Sequence, residues 1–157
     1  MKRLYLLLIS CAVCLVHVCA QTFDVVQGDV TWRYDAHSLT APMAFHAGTL
    51  AVGSAEHSLS GTTMRVDPSG VYEPLTVSVV YSGNAAKVVA DGALASSLTC
   101  TVDGPRVSIG AASALLEEVT YRLSGEGENF TLAGEYKATV ELAGVSLKAT
   151  GEVPALY

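Results

Sequence analysis

Apolar, aromatic or glycine residues fill every even position from 130 to 142: Phe130, Leu132, Gly134, Tyr136, Ala138, Val140 and Leu142. Beyond Ala143-Gly144 the same class moves to odd positions: Val145, Leu147, Ala149, Gly151 and Val153. A period of two is the mark of a strand with one buried face. The change of parity at Ala-Gly predicts a hairpin. Its register places Leu142 opposite Val145 and Val140 opposite Leu147, with Tyr136 over Gly151. An aromatic ring over a strand glycine repairs the weak spot that glycine leaves. A slip of one residue would set Val140 against Lys148, so the pattern specifies its register strongly.

The rest of the chain predicts more strands. Val30, Trp32 and Tyr34 share one face of a strand over 29–35, and Thr31 and Arg33 share the other. Apolar stretches follow at 42–52, 59–66 and 71–81, then short strands at 87–90, 98–102, 106–109 and 118–124. Asp67-Pro68-Ser69-Gly70, Ser82-Gly83-Asn84 and Asp103-Gly104-Pro105 are turn signals between them. Ala111 to Glu118 is the one helix-compatible segment. Eight to ten strands at this spacing predict an all-β fold: an antiparallel meander closed as a barrel, or a strongly coiled sandwich. A strand of thirteen residues at ~3.3 Å each would run about 43 Å, which suits long tilted hairpins. The small inward residues Gly134, Ala138, Ala149 and Gly151 either let two sheets approach or leave room for a ligand.

The N-terminus reads as an export signal. Met1-Lys2-Arg3 is a basic start, Leu4 to Val18 is apolar, and Val18-Cys19-Ala20 precedes a cleavage point. Cleavage leaves Gln21 first and gives two segments, a signal peptide at 1–20 and a single β domain at 21–157. The expected location is the periplasm, the cell surface or the extracellular space. Leu8-Ile9-Ser10-Cys11 offers a second outcome, acylation of Cys11 and anchoring as a lipoprotein. No other run approaches membrane-spanning length. Loss of Lys2 and Arg3 leaves seven basic residues against fifteen acidic ones, a net charge of −8. Such a chain is unsuited to nucleic acid or an anionic membrane. Only Cys100 of the four cysteines survives processing, so no internal disulfide forms and the core alone holds the domain. Alternation with Leu98 and Val102 predicts a buried, inert thiol.

Residues with chemical potential are few. His37, His46 and His57 could meet across adjacent strands, with Asp35 or Met43 as a fourth ligand. No His-x-His pair accompanies them, so the expectation is no metal and no cofactor. Asp35-Ala36-His37-Ser38 contains acid, base and hydroxyl, but a triad needs convergence from separate elements. The acidic pairs Glu117-Glu118 and Glu126/Glu128 lie beside turns and read as solvated charge. No catalytic residue is assigned.

Signal and Gln21, strand count, terminal hairpin and size together make the mature chain resemble the exported calycin-like, lipocalin-like β-barrels of Bacteroidetes-type bacteria. The resemblance implies a small apolar ligand held inside the barrel without catalysis. Trp32, Tyr136, Val140 and Leu147 are the expected lining. The competing expectation is a structural or adhesion-type surface sandwich with a packed core. A third is an enzyme whose site is assembled from residues distant in sequence. No protein partner is legible.

Overall fold

The computed structural model describes residues 22–37, 43–111, 117–149 and 154–157. The signal segment with Cys11, residues 112–116 of the expected helix, and Gly151 and Val153 of the expected hairpin lie outside the described residues. The fold is all-β. Thirteen strands are described: β1 (Thr22–Gln27), β2 (Val30–Asp35), β3 (Met43–His46), β4 (Thr49–Val52), β5 (Ala55–Ser58), β6 (Thr62–Asp67), β7 (Thr76–Ser82), β8 (Ala86–Asp91), β9 (Leu98–Asp103), β10 (Arg106–Ala111), β11 (Val119–Gly127), β12 (Asn129–Ala133) and β13 (Ala138–Leu147). A single 3-10 turn at Gly92–Leu94 follows β8.

Seven strands form one large open sheet in the order β13-β11-β7-β8-β2-β1-β6. Two three-stranded sheets, β12-β10-β9 and β3-β4-β5, lie against it. The Tyr121 ring on the large sheet meets Phe130 on β12 with centroids 5.9 Å apart. At the other end Tyr34 on β2 meets His57 on β5 edge-on at 6.0 Å. The two small sheets therefore lie toward different ends of the large one, and β9 of the first also reaches β8 and β2. Between the layers Val25, Val77, Val79, Val88, Ile109, Val119, Tyr121, Leu123 and Phe130 are fully buried. The alternation of β2, β7 and β11 places their apolar sets on this inner face.

The topology corrects three expectations. The sheets are mixed, where an antiparallel meander was expected. β11 runs parallel to both β7 and β13, β10 is parallel to β12, and β2 is parallel to β8. The large sheet also does not close into a barrel, because β13 and β6 are its edges among the described strands.

The third correction is the terminal hairpin. The chain breaks at Gly134, whose φ is +133°, so β12 and β13 separate into different sheets. β13 then continues straight through Ala143-Gly144, pairing with β11 rather than folding back. Val140 lies beside Tyr121, Leu142 beside Leu123, Val145 beside Gly125 and Leu147 beside Gly127. The parity switch is a β-bulge: between Leu123 and Gly125 on β11, β13 carries one extra residue, and Gly144 takes the left-handed φ of +73°. The ring-over-glycine device is present with other partners. The Tyr81 ring covers Gly127, where an added Cβ would lie 2.1 Å from Cδ1.

From β11 onward the chain winds as a coil. It passes from the large sheet (β11) to a small one (β12), back to the large sheet (β13), and again to β12's free side. There Leu156 bridges Phe130 in parallel, and the Leu132 N–H donates to the Tyr157 carbonyl at 2.7 Å.

Candidate functional site

The antiparallel half concentrates the polar groups of the interior. β4 and β5 form a hairpin that puts Leu50 and His57 side by side, with Val52 beside Ala55. This row faces the core, where His57 is 2 % exposed. Its Nδ1 lies 3.4 Å from the Gln27 Oε1, which only accepts, so Nδ1 carries the proton. Nε2 is then free to accept the Tyr34 O–H at 2.6 Å. The pair is consistent with a neutral imidazole, and burial holds the His57 pKa below its ordinary value. Burial, with the charge of Asp91, pushes the Tyr34 hydroxyl well above the ordinary tyrosine range. Neither group is poised to exchange a proton near neutrality.

Two buried carboxylates are also engaged. Asp24 on β1 is held by Arg33 of β2 at 2.9 Å and by Arg65 of β6 at 3.0 Å. Burial pushes its pKa up, but the hydrogen bonds and charges of the two guanidinium groups prevail and hold it below the ordinary value. Asp91 accepts the Leu75 N–H at 2.8 Å, the Ala93 N–H at 2.9 Å and the Tyr72 O–H at 3.1 Å. The first of these bonds holds Leu75 at a φ of +51°, a conformation a branched side chain rarely adopts. Asp24 ties three strands together, and Asp91 ties the end of β8 to the loop before β7 and to the 3-10 turn.

Among the described residues, three of the open clefts lie around these ties. One of about 340 Å³ lies over Arg33, Tyr72, Glu73, Ser78 and Asp91. A second of about 270 Å³ is bordered by Tyr34, Ser54, Tyr72 and Asp91. A third of about 240 Å³ is bordered by Gln27, Trp32, Glu56, His57, Thr99 and Cys100.

The four residues expected to line a ligand cavity share one hydrophobic core, Trp32 within it and Tyr136, Val140 and Leu147 packed against it, at different places. Trp32 borders the third cleft and is tilted against His57, with centroids 6.3 Å apart. Tyr136 and Val140 both come to Tyr121, whose hydroxyl is 2.5 Å from that of Tyr136. Leu147 lies at the far end of β13 beside Gly127. Tyr136, Val140 and Leu147 border none of the three clefts. Three strands, β8, β7 and β11, separate the Trp32 strand from β13.

The histidines are likewise apart. His46 stands opposite Thr49 on the face away from His57, and His37 is exposed beside Asp35, its Nδ1 3.6 Å from Oδ1. Cys100 is half-buried, and burial pushes its thiol pKa up to about 12, so little thiolate exists at neutral pH. Arg106 pairs with Glu128 at 2.7 Å, so Glu128 is not free charge. The roles of Asp24, Asp91 and His57 escape sequence reading. Only the His57 alternation with Ala55, after the Gly53-Ser54 turn, carries a local signal for one of them.

Among the described residues no helix is long and apolar enough to cross a membrane. No family model, no curated protein and no solved structure matches the chain.

Proposed function

We propose that this chain is an exported, non-catalytic β-sandwich module that acts through its surface in a structural or adhesive role. The filled interior is the observation that carries this reading. Tyr121, Phe130, Leu50, Ile109 and Leu123 are all fully buried where a ligand would have to lie. A carrier of a drug-sized apolar molecule needs a concave, mostly apolar pocket of ~300 Å³ or more. One cleft of that size, among the described residues, has Arg33, Glu73 and Asp91 on its walls. The engaged state of His57, Tyr34 and Asp24 supports the absence of catalysis. Export rests on the sequence from Met1 to Ala20.

Titration with an environment-sensitive apolar dye tests the reading. A surface module gives weak, nonsaturable uptake and no change in Trp32 emission. Saturable one-to-one binding with a shift in Trp32 emission would overturn it in favour of a small apolar ligand held inside.

A further inference from the structure

We infer that the free edge of β13 is an acceptor for one more polypeptide strand, laid parallel to β13, with a basic residue between two apolar ones opposite Glu141. The inference rests on the surface-module reading and names the kind of partner such a module takes.

The edge itself is the first observation. β13 is ten residues long and ends the large sheet among the described strands. Its inner-face residues are incompletely covered. Leu142 is 64 % exposed, and Val140, Val145 and Leu147 are only partly buried. A long strand at a sheet edge presents unpaired N–H and C=O groups and is a template for strand addition. Proteins that avoid such addition blunt the edge with proline, inward charges, bulges or short length, and the bulge of β13 lies at Ala143-Gly144, past the Val140–Leu142 segment. β13 has no proline, and its single charged residue, Glu141, pairs on the outer face.

The second observation fixes orientation. β11 lies parallel on β7, β13 parallel on β11, β12 parallel on β10, and residues 155–157 parallel on β12. Some of the stacked pairs join like residues: Thr120 with Thr139, Leu123 with Leu142, Phe130 with Leu156. A further strand meeting Val140 and Leu142 in the same way carries apolar residues at both places.

Charge fixes the residue between them. On the outer face, Arg122 on β11 reaches Glu73 at 2.7 Å on one side and Glu141 at 3.0 Å on the other. Glu141 is the strand neighbour of Arg122 on the edge side, whereas the β7 neighbour is Ser78 and Glu73 approaches from the loop before β7. Glu141 retains 47 % side-chain exposure. The position beyond Glu141 takes a lysine or arginine. Cross-strand pairs of opposite charge stabilise adjacent strands and like charges oppose them.

The test uses the folded chain and three fluorescent peptides with the core Thr-Val-X-Leu-Thr, where X is lysine, glutamine or glutamate. Anisotropy at low salt should show saturable binding, with the lysine peptide about fivefold tighter than the glutamate peptide, a factor at the upper end for one cross-strand pair. Glu141→Gln should remove most of that preference, and Glu141→Lys should reverse it. Thermal melts of both variants check that the fold persists. Hydrogen exchange should slow at β13 amides when the lysine peptide is added. Absence of saturable binding, a preference unchanged in Glu141→Gln, or protection appearing at β6 or β3 instead would each overturn the proposal. Dye titration of the interior reads separately, so failure of the edge leaves the packed-core reading standing.

Discussion

The two halves of the large sheet solve the same problem with different means. The half containing β1, β2 and β6 is held by antiparallel neighbours and by polar ties: Asp24 between two arginines, and Tyr34 on His57. The half containing β7, β11 and β13 is a parallel stack whose centre is apolar and aromatic, with Tyr121 among Val77, Val140, Phe130 and Tyr136. Polar ties are directional and titrate. Apolar stacking is neither, and its strength follows the area removed from water. One half should therefore answer to pH and the other to side-chain volume.

The largest effect is expected from Tyr121→Ala. The side chain is fully buried, and its loss leaves a cavity beside Phe130 and orphans the Tyr136 hydroxyl. Urea melts should show a loss of about 4 kcal/mol, nearly the same at pH 4.5 and pH 7. A loss below about 1 kcal/mol would mean the stack relaxes around the gap and the contrast between the halves is overstated.

Asp24→Asn should cost less, about 2 kcal/mol near neutrality, because Arg65 is half-exposed and its share is weakened by water. Its value lies in the acid limb. The folded pKa of Asp24 is below its ordinary 3.8. Its stabilisation is therefore complete above the unfolded value and is lost as pH falls through the folded one. Stability profiles of wild type and Asp24→Asn should converge at the acid end. Parallel profiles would show that the arginines stabilise β1 without using the charge.

The smallest effect is expected at His57. Its folded pKa is below the ordinary 6.5, so the unfolded chain binds the proton first. Stability should decline as pH falls from 6.5 toward the folded pKa, then level off for this group. His57→Gln should remove that shallow limb while leaving the Asp24 limb in place. An unchanged profile would assign the decline to other groups.

Individual strands were legible in the sequence, whereas their partners were not. Val30, Trp32 and Tyr34 do face inward, and the turns fall at Asp67–Gly70, Gly83 and Gly104. Alternation records which face is buried and carries no sign of whether a neighbour runs parallel. The 130–147 region therefore read as a hairpin, although each of its parts is a strand. β1 was missed because its inward and outward sets are both mixed. Thr22 and Asp24 are fully buried polar residues, and the arginines that satisfy Asp24 come from two other strands. The four expected lining residues share one core but occupy different places on it, because side-chain type does not encode which strand lies next to which.

The extra residue at Ala143-Gly144 acts as a phase shifter. β11 keeps one parity throughout: Val119, Tyr121, Leu123, Gly125 and Gly127 all occupy odd places. β13 begins on even places and finishes on odd ones, yet both of its ends match β11. Glycine lets the backbone absorb a half-period error, so two stretches of opposite rhythm stay in step with a single uninterrupted template. One residue of mismatch, placed where the chain can turn left-handed, lets a broken pattern serve as one continuous strand.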